Sequence, residues 1–186
     1  MSWRSSSCWG PVAERKADKS GRKPVVLVGF MAAGKSKIGR LLAERLGVPF
    51  VDTDKAIEDS FGIPIAEIFR DHGESVFRDA ERRLIAALLA GDAKVVASGG
   101  GAFIDSSTRE LLNRDACTVW LDTPIDHILA RLARSDSRPL VMDRSEQELR
   151  DLWDQRRGFY SLAHIRIDTS DRDPHRTVDR IAAALA

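Results

Sequence analysis

Cysteine is almost absent: the 186-residue chain holds two, Cys8 and Cys117. They are far apart in unlike surroundings, which excludes a disulfide framework or a metal knuckle and fits a reducing cytoplasm. Long apolar runs are missing as well. None approaches the roughly 20 residues needed to cross a bilayer, and the N-terminus lacks the apolar centre of a secretory signal, so no membrane partner is expected. Charge of one sign is also lacking, with 29 Lys and Arg against 28 Asp and Glu. His72, His127, His164 and His175 keep no ligand spacing, so no histidine metal site is expected. No repeat or low-complexity tract interrupts the chain.

A composition of 43% hydrophobic and 31% charged residues suits one sizeable core, and the length is too short for two. The near-neutral total hides an asymmetry. Residues 1–24 carry six basic and two acidic side chains, leaving 23 basic against 26 acidic in residues 25–186. The body therefore offers no basic stripe for nucleic acid. The leading segment is basic, Ser-rich and aperiodic, so residues 1–24 are expected to be a disordered tail and residues 25–186 a single domain. A short organellar transit peptide is the alternative, weakened by Glu14 and Asp18.

Short apolar runs alternate with helical patterns through that body, which predicts an α/β fold with a five-stranded parallel sheet between helices. The runs are Val25 to Val28, Pro49 to Val51, Lys94 to Ala97, Thr118 to Leu121 and Ile165 to Ile167. Helical patterns begin at Lys35, Glu74, Ser106, Pro124 and Ser145, and another follows Asp173. Gly47 and Gly91 stand where helices are expected to stop, and Pro124 and Pro174 where first turns are expected. Residues 134–145 break the rhythm with small, charged and proline residues; this is either a mobile flap or a plain connector. Cys117, Trp120 and Trp153 are expected to be packing residues.

Gly29 to Ser36 matches G-x-x-x-x-G-K-[ST], between the run VVLV and a helical pattern. Backbone N–H groups of such a loop, with the helix N-terminus behind them, wrap a polyphosphate at small reorganisation cost. Lys35 then reaches the β- and γ-phosphates, and the Ser36 hydroxyl is placed to ligate Mg²⁺. The loop identifies a donor nucleotide but no acceptor.

Three further stretches carry acceptor chemistry. Asp52 and Asp54 flank Thr53 at the C-terminal end of the second run, the rim where open α/β sheets bind ligands; alternatively Asp52 or Thr53 only caps the next helix. Gly99, Gly100 and Gly101 follow the third run. Three glycines together are costly to order, so close backbone approach to a ligand or to the phosphate loop is expected. Phe69, Phe77, Arg78 and Glu81 place a guanidinium beside aromatic rings, an arrangement suited to a small carboxylate. A surface ion pair beside ordinary core aromatics is the competing reading.

Taken in order, these pieces resemble the shikimate kinase family from Pro24 onward: GFMAAGKS, DTD, the GE..FR..E of Gly73 to Glu81, SGGG, RPL at Arg138 to Leu140, and R...Y at Arg156 to Tyr160. The resemblance implies a three-layer α/β/α P-loop kinase fold with a lid over about residues 134–145 and a substrate-binding helical region. It implies phosphorylation of the 3-hydroxyl of shikimate by ATP in chorismate synthesis, with one Mg²⁺ ion, in a monomer. Gly29, Met31, Ala32, Ala33, Gly34, Lys35, Ser36 and Lys37 then hold ATP, joined by Arg131 against adenine and Arg138 from the lid. Arg78 and Arg156 take the shikimate carboxylate, Asp54, Gly100 and Gly101 its hydroxyls, with Phe69, Phe77 and Glu81 around them. Lys35, Asp54 and Arg138 are the catalytic group, while Ser36 and a water-mediated Asp52 hold the metal.

Two positions depart from the family's usual loop, which more often has Gly at position 32 and Thr at position 37. Alanine is expected to keep a negative φ, because a left-handed backbone costs a residue with a Cβ roughly 1–2 kcal/mol. Lys37 is expected to point outward or add a diffuse positive field. Another small-molecule P-loop kinase, for gluconate or nucleoside monophosphates, is the nearest rival, disfavoured by DTD, FR..E and SGGG together. A non-catalytic nucleotide-binding module is the rival from another class, and it has no need of acceptor residues.

Overall fold

The structure is a computed structural model that describes residues 23–134 and 144–186. Most of the tail and lid segments, with Cys8 and Arg138, lie outside the described residues. Five strands form one parallel sheet: β1 (Val25–Val28), β2 (Phe50–Asp52), β3 (Val95–Ala97), β4 (Cys117–Asp122) and β5 (Ile165–Asp168), in the order β2-β3-β1-β4-β5. β1 is central and pairs with β3 from Val25↔Val95 and with β4 from Val25↔Cys117. Covered on both faces, it reads as an unbroken apolar run rather than an alternation, and Val26, Leu27 and Val28 are 0% exposed.

One face packs on α1 (Lys35–Leu46) and α8 (Pro174–Leu185), joining Leu27, Val119 and Leu121 to Ile38, Leu42, Val178 and Ile181. The opposite face packs on α5 (Ser106–Asp115), α6 (Ile125–Leu132) and α7 (Glu146–Tyr160), around Val26, Val28, Phe103, Leu112, Trp120, Ile128 and Tyr160. These are the three layers. A smaller cluster of Ile57, Ile68, Phe77 and Leu84 lies among α2 (Thr53–Phe61), α3 (Ile65–His72) and α4 (Glu74–Leu89).

Helix starts follow local chemistry. Ser145 caps α7 with a capping box closed by Glu148, and Asp173 caps α8 with Pro174 in its first turn, each satisfying N–H groups that a helix start otherwise leaves unpaired. Two expectations shift. Residues 53–72, to which no helical pattern was assigned, hold two helices, ended by Gly62 at φ 72° and Gly73 at φ 83°. Helix α4 stops at Leu89 on a right-handed Ala90, so Gly91 is not its terminator.

Candidate active site

The turn from β1 into α1 places the phosphate loop at the C-terminal rim of the central strand. Inside it, the Lys35 ammonium donates to the carbonyls of Gly29 and Phe30, each at 2.8 Å. Beside it the Ser36 hydroxyl donates to an Asp52 carboxylate oxygen at 2.5 Å. The other Asp52 oxygen caps α2 by accepting from the N–H groups of Asp54 and Lys55 at 3.1 and 3.3 Å. Capping and site-forming are therefore not alternatives: one carboxylate has a separate oxygen for each. Hydroxyl and carboxylate oxygens are the hard donors Mg²⁺ takes, so the pair fits that ion.

Ala32 overturns the expected negative φ. Its φ is +56°, in the left-handed region. The conformation is held from outside: Arg131 donates to the Ala32 carbonyl at 2.9 Å, and the neighbouring Ala33 N–H donates to the Phe30 carbonyl at 3.2 Å. A methyl side chain tolerates that geometry at a cost of roughly 1–2 kcal/mol, which the surrounding bonds offset.

A cavity of about 360 Å³ opens beside the loop, lined by Ala33, Gly34, Lys37, His127, Arg131 and Arg172 among others. Lys37 is exposed at its edge. Burial and the Arg172 charge pull the Arg131 pKa below its usual value. Burial, Arg172 and Arg131 likewise hold His127 low. The crowding of cations that resist further positive charge suits an anionic ligand. Arg172 and Thr169 went unnoticed in the sequence, and His127 was considered only as a metal ligand; Arg172 carries a structural signal, a φ of +57°, but no sequence one.

Across the loop, α4 brings the acceptor candidates to the glycine turn after β3. Arg78 donates to Glu81 at 2.7 Å and to Glu74 at 3.1 Å, with the Arg78 side chain 27% and that of Glu81 3% exposed. Its guanidinium stands 5.2 Å from the Phe77 ring centroid, and Phe77 meets Phe69 edge-on at 4.8 Å. Burial lowers the Arg78 pKa, but Glu81 and Glu74 outweigh it and the net shift is upward. Burial pushes Glu81 upward against the opposing pull of Arg78, and the Asp54 charge adds to the rise. One Glu81 oxygen is bonded to Arg78, while Oε1 is buried without a partner.

The glycines are explained by what a side chain would strike. A Cβ on Gly99 would stand 2.5 Å from Glu81 Oε1 and 2.7 Å from Asp54 Oδ1; on Gly100, 3.3 Å from the Met31 nitrogen; on Gly101, 2.6 Å from Arg78 Nη2. None of the three has a positive φ among the described glycines, so close approach is the reason for them. The Gly99 N–H donates to Thr53 at 2.9 Å, tying the turn to α2. Arg156 of α7 lies on the remaining side, 5.9 Å from the Phe30 ring centroid. Asp54, Glu81, Arg78 and the glycine turn thus converge next to Met31 of the phosphate loop; Arg131, Lys37 and the cavity form the other flank.

A family model for shikimate kinase matches residues 31–186. The chain is 43% identical over 183 residues to a shikimate kinase of Novosphingobium aromaticivorans, covering 94% of each. It is 41% identical over 161 residues to one of Persephonella marina, covering 87% of this chain and 98% of that one. Among solved structures, a shikimate kinase from Acinetobacter baumannii in complex with shikimate superposes with a TM-score of 0.83 at 37% identity, over 89% of this chain and 93% of that one. On its fold, on the ordered motifs around the phosphate loop and on these likenesses, the chain belongs to the shikimate kinase family.

Proposed function

We propose that this chain transfers the γ-phosphoryl group of ATP to the 3-hydroxyl of shikimate, forming shikimate 3-phosphate for chorismate and aromatic amino acid synthesis. The observation that carries the reading is the convergence of Asp54, Glu81 and Arg78 on the glycine turn beside Met31. A non-catalytic nucleotide binder gives no reason for that second, carboxylate-recognising wall.

The residues divide the work as phosphoryl transfer requires, by positioning and charge neutralisation. Arg78 and Arg156 take the shikimate carboxylate, with Arg78 oriented by Glu81 and Glu74 and backed by Phe77 and Phe69. Ring hydroxyls lie against Asp54 and the Gly100 and Gly101 backbone. Asp54 accepts the proton of the attacking hydroxyl. Lys35 leaves the Gly29 and Phe30 carbonyls for the phosphates, and Arg131 and Lys37 line the donor side. Ser36 and Asp52 would hold Mg²⁺, which when bound neutralises charge on the β- and γ-phosphates. Arg138 and a lid role for residues 134–145 belong to the same proposal, as do a basic tail outside the domain, a monomeric state and a cytoplasmic location. No helix among the described residues is long and apolar enough to cross a membrane.

The test is ADP release from ATP and Mg²⁺ with shikimate, gluconate and nucleoside monophosphates as acceptors. Release with shikimate well above the acceptor-free rate is expected. A rate equal to that background, or a larger response to another acceptor, would overturn the reading.

A further inference from the structure

Tyr160 ends α7 one helical turn after Arg156, is 2% exposed and is the single tyrosine of the chain. Its phenol O–H donates to the Gly100 carbonyl at 2.5 Å, a bond spanning 60 positions of sequence. Its ring packs beside Trp120 of β4 with centroids 6.4 Å apart. Arg156 sits close enough to counter, in part, the burial that pushes the phenol up to about 12. Gly100 also lies close against the phosphate loop, where a Cβ would meet the Met31 nitrogen at 3.3 Å.

A phenylalanine would fill the same apolar space without carrying a hydroxyl into the core. Burying that hydroxyl is unfavourable unless it is bonded, so what it holds is the key to its use. It holds the backbone of the glycine turn, and the helix that carries it also carries Arg156. These are two separate parts of the proposed acceptor surface, contributed by segments far apart in sequence.

We propose that Tyr160 is a positioning residue for the acceptor: its hydroxyl fixes the Gly100–Gly101 backbone relative to Arg156, so the hydroxyl-binding and carboxylate-binding parts are presented as one unit. It touches neither the reacting hydroxyl nor the phosphate. The inference rests on the shikimate reading given above and deepens it.

The experiment compares the full chain with Tyr160→Phe. Loss of a buried hydrogen bond that orients charged recognition is expected to raise the shikimate KM about tenfold while kcat changes by less than about threefold and ATP affinity by less than about twofold. In an Arg156→Lys background the same change is expected to add less than about threefold, because coupled groups are not additive. A purely structural hydroxyl would lower Tm and leave the shikimate KM unchanged, and that result overturns the inference; so does an equal loss of shikimate and ATP affinity. As a measurement independent of the variant's folding, 3-fluorotyrosine labels this one position, and its ¹⁹F resonance is expected to move on adding shikimate. A resonance unmoved at saturating shikimate overturns the inference. Turnover by the unaltered chain with no effect at Tyr160 removes this inference alone, whereas no turnover of shikimate removes both it and the reading on which it rests.

Discussion

Replacing Gly101 by alanine should damage the proposed acceptor site from a position whose backbone accepts the change. Its φ lies outside the left-handed region, so alanine adds no backbone strain, but the new Cβ would stand 2.6, 2.9 and 3.0 Å from Nη2, Nη1 and Cζ of Arg78. The guanidinium is the far end of a flexible side chain and has to give way. A charge-assisted fork to a carboxylate is worth about 1.5–3 kcal/mol, and misaligning it without removing the charge should forfeit much of that. The shikimate KM is therefore expected to rise about 10- to 100-fold. The Arg78 shift also loosens its bond to the buried Glu81. Complete loss of a buried pair costs about 3–5 kcal/mol, but a displaced guanidinium keeps part of the contact, so a Tm drop of a few degrees is expected rather than unfolding. Titrating shikimate in a coupled ADP assay, alongside ATP binding and a thermal melt, separates these effects. An unchanged shikimate KM in the folded variant would refute the assigned role of Arg78.

Ala32→Gly removes the left-handed strain at φ +56°; against a Gly penalty of about 0.5–1 kcal/mol, the melt is expected to hold or rise slightly, and a large fall would contradict the strain argument. Asp52→Asn keeps an oxygen to cap α2 but removes the charge facing Ser36, so half-maximal activity is expected to need more Mg²⁺ at nearly unchanged Tm; an unaltered Mg²⁺ titration would refute the metal assignment. Tyr160 gives a pH signature. Burial raises its folded pKa to about 12, so its contribution is fully present below the unfolded value near 10 and is lost as pH climbs from about 10 to 12, by about 2–3 kcal/mol. Denaturant melts of the chain and Tyr160→Phe should converge by that amount over this window; parallel curves would contradict it.

Much of this organisation was legible in the sequence because it is local. A buried central strand leaves the run VVLV, the phosphate loop is contiguous, and SSTRELLNRD follows directly on its Asp105 cap and coincides with α5. The residues proposed for the acceptor came together as a set only through the order of the motifs: Arg78 and Glu81 alone read equally as an ion pair beside core aromatics, whereas three adjacent glycines did announce a close approach, which Glu81, Met31 and Arg78 supply. What escaped depends on distant partners. The φ of Ala32 is held by Arg131, 99 positions away. The cavity beside the phosphate loop is completed by Thr169, Arg172 and Asp173 in the turn before α8, where nothing in the local sequence signals a cavity. The double use of Asp52 could not be read from spacing, because each of its oxygens answers to a different segment.

The most direct test of the central claim is the identity of the product formed from shikimate and Mg–ATP. A ³¹P spectrum correlated to protons is expected to show a new phosphate ester coupled to the proton on C3 of the shikimate ring, in equal amount to ADP. Inorganic phosphate alone, or an ester on another hydroxyl, would contradict the account.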